Sequence, residues 1–452
     1  MFDSLKKIFG SPRQAAPTAA KPPAARPAAD AAAVPAAETV SDAFLRRDAV
    51  FDRKGRLAGH LFLVRGAPLQ ADAAPELQRQ ADSALLAALD ASPEAWNTSL
   101  AFVPLSSGSL DLPLLDTIRT ANLVLLVQLA EGGDARQTAL LGARIETLRQ
   151  RGMAIGIFRQ PKHPSFAEVI HLADYGAVDV GATDPGVIRD FSAAFRAGER
   201  SHPVRLFGGD IATTDEHRFC HQWHFDYFHG AFAAASPKRV DEAATDPHKV
   251  QLLHLLRLVQ GDAETPEIVA ALKQDPPLAF RILRYLNSPL IGLDHRIDSL
   301  AQALTILGRQ RLTRWLSVLL FSVREPGFGD WLLVESALTR GRLMEVLGGK
   351  LMPGQPADAL FLTGIFSCLD KLLRRPMAEL LDEIPLSDSV RSALLERSGP
   401  YAPLLALAEA AESFDLERME RAANAAAVPA DTVNRALLAA TAWASEVSEH
   451  WE

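Results

Sequence analysis

Leu123-Val124-Leu125-Leu126-Val127 is an unbroken apolar run of strand length, Ala154-Ile155-Gly156-Ile157-Phe158 is a second, and residues 135–151 between them carry a helical pattern. Short runs of bulky residues bounded by polar turns read as buried strands, and a helix-length crossover between two of them makes the pair parallel. The rhythm continues outward in both directions. Upstream, 76–89 reads as a helix and 101–105 as a strand; downstream, 166–173 reads as a helix and 178–180, 204–207 and 225–228 as strands. At the front, strands over 48–51 and 57–64 flank Arg53-Lys54-Gly55, whose glycine tolerates positive φ, which predicts a hairpin. The alternation predicts a parallel α/β barrel of TIM-barrel type over residues 44–235.

Strand-like runs stop after Ala235, and helical patterns with strong start signals follow one another. Thr265-Pro266-Glu267 and Asp275-Pro276 each set a capping side chain before a proline at the first helical position, and Ser299 with Gln302 makes a capping box closed by Gly308. Residues 238–452 are therefore expected to form an all-α domain. Residues 15–37 hold 13 Ala and 5 Pro, a composition with little to bury, so 1–43 is read as a disordered tail and linker that begins with a short Phe2, Leu5, Phe9 stripe.

Composition narrows the class. Hydrophobic residues at 48% and charged ones at 23% match a globular chain, and a net charge of −8 argues against a protein that coats nucleic acid or membrane through bulk charge. Cys220 and Cys368 have no CxxC partner, which excludes a disulfide framework and suits a reducing cytoplasm. No apolar run approaches the ~18 residues that span a bilayer.

Two blocks resemble known families. Phe51-Asp52-Arg53-Lys54-Gly55 through Gly59 to Arg65, with Ile211-Ala212-Thr213, Phe219-Cys220 and Phe225-Asp226-Tyr227-Phe228-His229-Gly230, resembles the EAL domain, the barrel of cyclic di-GMP phosphodiesterases, in a degenerate form fused to an HDOD domain. Asp275-Pro276-Pro277-Leu278, Arg281-Ile282-Leu283-Arg284-Tyr285-Leu286-Asn287-Ser288-Pro289, then Ile297, Ser299-Leu300, Gln302-Ala303 and Leu307-Gly308, is similar to the HDOD signature.

The EAL resemblance implies a two-metal centre, which needs several carboxylates at one barrel end. Position by position they are missing. The Glu of the family's E-A-L-x-R falls on Leu61, before Phe62, Leu63 and Arg65; the strand Asn falls on Pro104; the paired Asp fall on Gly156 and Ile157; a later Glu falls on Gly209; and the Gln before Gly is His229. E-x-x-E survives in part as Gln128-Leu129-Ala130-Glu131, and the following strand, 177–181, offers no lysine. No catalytic residue, metal ligand or cofactor is assigned. Arg65, Gln128 and Glu131 are the candidate ligand-binding remnants, Arg65 and Glu131 reading either as phosphate contacts or as a barrel-end ion pair.

HD hydrolases, which the HDOD domain resembles, use an adjacent His-Asp pair, and none of the 12 His here is followed by Asp. His254 sits on a Leu-rich helix, and His295 follows Asp294 in the reversed order. His217, Cys220, His221 and His224 share one helical face, yet four side chains of one helix cannot surround an ion tetrahedrally. Between 281 and 314, Arg281, Arg284, Arg296, Arg309, Arg311 and Arg314 face only Asp294 and Asp298. Of these, Arg281, Arg284, Arg309, Arg311 and Arg314 are the candidate interaction residues, with a solvated face as the alternative. The expectation is a cytoplasmic, non-catalytic signal-transduction scaffold that binds signalling proteins through its HDOD domain. A non-hydrolysing cyclic di-GMP receptor and a relic phosphodiesterase are the alternatives.

Overall fold

The computed structural model describes residues 43–66, 74–92, 96, 99–119, 121–197, 203–235, 247–261, 263–286, 297, 299–322 and 327–449. The tail over 1–42, the Asn287-Ser288-Pro289 corner, Asp294, His295, Arg296, Asp298 and the side chains of Arg281 and Arg284 lie outside the described residues.

Eight strands close a barrel in chain order: β1 (Leu45–Asp52), β2 (Leu57–Val64), β3 (Leu100–Ser106), β4 (Leu123–Gln128), β5 (Ala154–Phe158), β6 (Tyr175–Asp179), β7 (Arg205–Gly209) and β8 (Tyr227–His229). β1 runs antiparallel to both β2 and β8, and every other neighbouring pair is parallel. The hairpin turns as its sequence demands. The Asp52 carboxylate accepts the Lys54 and Arg56 amides at 2.8 and 2.9 Å, and Gly55 takes φ +74°. Helices α1 (Pro75–Asp90), α2 (Ala135–Gln150), α3 (Phe166–Val169), α4 (Pro185–Ala197), α5 (Thr214–Gln222) and α6 (Phe232–Ala235) follow the later strands.

Side chains alternate along each strand, so one set fills the barrel and the other meets the helices. Val50, Leu61, Phe102, Leu126, Tyr175 and Phe207 belong to the interior cluster, while Val103, Leu125, Ile155 and Ile157 pack outward with Leu86 and Leu148. The Phe102 ring lies 5.0 Å from Phe207 and 5.4 Å from Tyr227, pairs that add about 0.5–1.5 kcal/mol each beyond their buried area. The barrel is thus a packed core rather than a pore.

The helical half comprises α7 (Pro247–Gln260), α8 (Thr265–Lys273), α9 (Pro276–Leu286), α10 (Leu300–Leu320), α11 (Phe328–Leu351), α12 (Ala357–Phe366), α13 (Leu369–Leu373), α14 (Met377–Glu383), α15 (Asp388–Leu395), α16 (Ala402–Ala410), α17 (Leu416–Ala425) and α18 (Ala430–Glu449). Leu278, Ile282 and Leu286 of α9 are buried in its core. Asp275 caps α9 by accepting the Leu278 amide at 3.0 Å. At Gly364 of α12 a β-carbon would lie 2.5 Å from the Arg340 carbonyl, so only glycine lets α11 and α12 approach this closely.

Several boundaries differ from the sequence reading. α8 starts one residue earlier, with Glu264 rather than Thr265 at the cap. Ser299 occupies the cap position of α10 without a capping side-chain bond, and Gly308, at φ +74°, breaks α10 into two segments instead of ending it. β6 begins at Tyr175, three residues before the expected strand, because Tyr175 and Ala177 are the residues that alternate into the barrel. The expected helix over 166–173 is one α turn followed by a 3-10 turn.

The hairpin opening of the barrel has a structural consequence. β1 passes directly to β2, so no helix of the barrel lies between them to cover their outward face. Helices of the second half cover it. Phe328 of α11 meets Phe51 edge to face at 5.0 Å, Glu335 reaches Arg47 and His60, and Leu438 of α18 joins Leu45 and Phe62 in one cluster. The Asn434 amide of α18 accepts the Leu45 N–H at 2.9 Å and donates to the Ala43 carbonyl at 2.8 Å, pairing with β1 as a neighbouring strand would.

Candidate functional site

In barrels of parallel strands, the chemistry gathers where the strands end. Here that end is lined by Gln128, Asp179, Gly209 and His229, which finish β4, β6, β7 and β8, with Asp48 entering from the antiparallel β1. The positions matched to the family's motif Glu, strand Asn, paired Asp and later Glu (Leu61, Pro104, Gly156, Ile157 and Gly209) carry no side-chain donors. Leu61 is 6% exposed within the interior cluster, Pro104 is buried on β3 beside Leu126, and Ile157 points outward beneath the helices. A β-carbon on Gly156 would lie 2.6 Å from Leu126 Cδ2 and 3.1 Å from the Tyr175 Cβ. Hydrocarbon occupies the place a carboxylate would need. Among the described residues, no group of three or more His, Cys, Asp or Glu converges to hold a metal ion. The residues present do not fit the two-metal centre that the EAL resemblance implies.

Of the three candidate remnants, two stay at this end and one leaves it. Gln128 is half-buried, and Glu131 is exposed in the loop that follows. That loop is pinned on three sides. Gln160 donates to the Leu129 carbonyl and accepts its N–H, Ser107 Oγ accepts the Ala130 N–H at 2.9 Å, and His163 Nε2 lies 2.8 Å from the Ala130 carbonyl. Arg65 turns instead to the helical half. Its guanidinium donates to the Leu45 carbonyl at 3.1 Å, to Ala411 at 2.5 Å and to Ser413, which satisfies carbonyls at the end of α16. It is 5% exposed, and burial followed by the neighbouring charge of Arg46 pulls its pKa down to about 10. Neither the phosphate contact nor the ion pair with Glu131 describes it.

The sequence reading missed the polar group that does sit at this end. Asp48 Oδ2 lies 3.2 Å from His229 Nε2, and Arg46 grips the same carboxylate at 2.9 and 2.5 Å. Burial opposes ionisation of Asp48, yet His229 and Arg46 together outweigh it and hold its pKa below the usual value. Asp179 is pushed the other way, by loss of water and by the charge of Asp210. Asp210, at φ +53°, donates its N–H toward His229 Nδ1 at 3.5 Å. Asp48 lies on β1, and its inward direction follows from a strand register that no motif names.

The His217 face is not a metal site in shape. His217 stacks on Phe232 at 4.5 Å, Cys220 is buried with its thiol pushed up to about 12 by burial and the charge of Glu216, and His221 Nε2 lies 3.2 Å from the Arg53 carbonyl. The arginine group also divides. Arg309 caps α7 through the carbonyls of Val259, Gly261 and Ala263. Arg314 is buried, pairs with Glu345 at 2.6 and 2.8 Å, and covers the Phe361 ring at 4.0 Å, so it cannot contribute to an outer surface. Arg311 is exposed.

Comparison with known proteins assigns part of the second half. The HDOD domain family matches residues 246–382. The chain carries an HDOD domain. A closed barrel precedes it, in the order of domains expected from the motifs. The cyclic di-GMP phosphodiesterase CdgJ of Vibrio cholerae is similar at 25% identity over 309 residues, covering 67% of this chain and 70% of that protein. The uncharacterized protein YuxH of Bacillus subtilis is 30% identical over 206 residues, which is 45% of this chain and only half the length of YuxH. Solved structures that align include the PaMucR phosphodiesterase in complex with c-di-GMP, at 15% identity, TM-score 0.34, and 42% and 89% coverage of the two chains. Another is the Bacillus subtilis YkuI protein, with an EAL domain, at 18% identity, TM-score 0.34, and 59% and 74% coverage. At those scores the barrel assignment rests on the chain's own strand order. Among the described residues no helix is long and apolar enough to cross a membrane.

Proposed function

We propose that the chain is a non-catalytic signalling scaffold linked to cyclic di-GMP, in which a degenerate EAL-like barrel (44–235) supports an HDOD domain (238–452) that engages protein partners in the cytoplasm. The observation that carries the reading is the hydrocarbon at the metal-ligand positions. Leu61, Pro104 and Gly156 offer no oxygen, and Leu126 already fills the space beside Gly156. A two-metal mechanism requires both attacking and departing oxygens to be held, which the remaining Gln128 and Glu131 cannot do alone. The activity in the name of CdgJ belongs to that protein, and its similarity supports the link to the nucleotide. The free, buried cysteines suit a reducing compartment.

For partner binding, Arg281 and Arg284 of α9 are the candidate contact residues. Phe280, which precedes Arg281 in sequence, is 63% exposed, and Arg311 on α10 is exposed. Charge reversal of Arg281 and Arg284 is expected to abolish partner capture with the melting temperature nearly unchanged; capture that needs only the barrel would move the surface elsewhere. A second reading, a cyclic di-GMP receptor without turnover, is favoured by the placement of Gln128 and Glu131 at the strand ends. Calorimetric titration with cyclic di-GMP, with and without Mg²⁺, separates the two: heat that depends on Gln128 supports the receptor, and its absence leaves the scaffold.

A further inference from the structure

Among the described residues, a loop of the HDOD half lies against the barrel end. Residues 411–415 link α16 to α17 and are held from the barrel by two arginines. Arg65 donates to the Ala411 and Ser413 carbonyls, and Arg46 lays its guanidinium 3.5 Å above the Phe414 ring. Phe414 is 66% exposed, and the Arg46 guanidinium over its ring is a contact between it and the barrel. On the HDOD side Arg340 of α11 grips the same segment through Glu412, at 2.7 and 2.6 Å.

Arg46 is itself held from inside the barrel. Asp48 accepts two bonds from it and stands 3.2 Å from His229, whose other ring nitrogen faces the Asp210 amide. The His229 ring stacks on Phe207 at 6.4 Å and 14°. A continuous line of contacts therefore runs from Asp210 and His229 at the strand ends, through Asp48 and Arg46, to Phe414 of the HDOD half. Arg46 is the shared element. A guanidinium oriented by a carboxylate at two points keeps its face on one ring, and without the carboxylate its long side chain regains its rotamers.

We propose that Arg46, Asp48 and His229 form a coupling element that makes the docking of the 411–415 loop depend on the charge state of the barrel end. Docked, Arg46 lies between Asp48 and Phe414. Released, Phe414 leaves the barrel and the HDOD surface around α17 changes. Any event that takes the Asp48 charge from Arg46 drives release, and by linkage any partner that binds the released loop alters the barrel end to the same extent. The coupling involves no nucleotide contact and is independent of which reading of the proposed function holds.

Hydrogen exchange on the full chain tests it. Asp48→Asn, which keeps shape and removes charge, is expected to raise exchange of the 411–416 peptide at least fivefold, with the 328–340 peptide of α11 unchanged. Arg46→Ala should do the same, and the double variant should add little to either. In the reverse direction, Phe414→Ala should raise exchange of the 208–212 peptide around Asp210. If Asp48→Asn unfolds the chain, His229→Gln takes its place as the perturbation. An unchanged 411–416 peptide in the folded Asp48→Asn or His229→Gln protein would overturn the proposal, and so would an equal rise across the 328–340 peptide, which would mean general loosening.

Discussion

Glu335 Oε1, on an HDOD helix, lies 2.6 Å from Arg47 Nη1 and 2.5 Å from His60 Nε2 on the first two strands of the barrel. Both Glu335 and His60 are buried. A carboxylate placed there must be paired, because an isolated buried charge is prohibitively expensive. Burial opposes its ionisation, but Arg47 and His60 outweigh that and lower its pKa to about 2. The two halves are therefore joined by a contact that neither can leave unmade.

Glu335→Ala is expected to destabilise the chain by about 3–5 kcal/mol, since it strands Arg47 in a nearly closed interface. Replacing the pair with Arg47→Met and Glu335→Leu should restore most of that loss. Denaturant melts of the single and double variants check this, and equal loss in both would mean the charges were not the source.

Restoring a carboxylate inside the barrel should fail. Gly156→Asp places a β-carbon 2.6 Å from Leu126, and an overpacked core position costs about 1–3 kcal/mol before the buried charge is counted. A Gly156→Asp protein with an unchanged melting temperature would show that the space beside Leu126 is open.

Stability should fall on mild acidification. Burial, then the charges of His221 and Arg218, lowers His217 to about 4, and burial, despite the pull of Glu335, lowers His60. A histidine whose folded pKa lies below its unfolded value takes up its proton first in the unfolded chain. Its contribution is whole above pH ~6.5 and is lost as pH falls toward the folded value. The melting temperature should therefore drop between pH 6.5 and 5, and His217→Phe, which keeps an aromatic ring against Phe232 and Phe328, should flatten the drop. A slope unchanged in that variant would remove His217 from the account.

The barrel was legible because the decisive signals are local. Buried strands such as 123–127 and 154–158 are apolar on both faces, and the Asp52 to Gly55 turn carries its own chemistry. The missing ligands were legible because Leu61, Pro104 and Gly156 announce themselves by residue type. What escaped was contact between distant segments. Arg65 read as a barrel-end arginine, yet its partners are carbonyls at 411 and 413, more than 340 residues away, and carbonyls have no residue-type signature. Arg314 looked like its exposed neighbours in spacing, but α10 turns it under Phe361 and Glu345. Asp48 was invisible for a third reason: its meaning depends on β1 closing against β8, where Val50 pairs with His229.

Turnover of cyclic di-GMP by the full chain with Mg²⁺ or Mn²⁺, followed by chromatography of the products, tests most directly whether this barrel end assembles a hydrolytic centre. No linear dinucleotide above the metal-only control is expected. Metal-dependent hydrolysis that is lost in Glu131→Gln would show that the barrel end is a working hydrolytic centre.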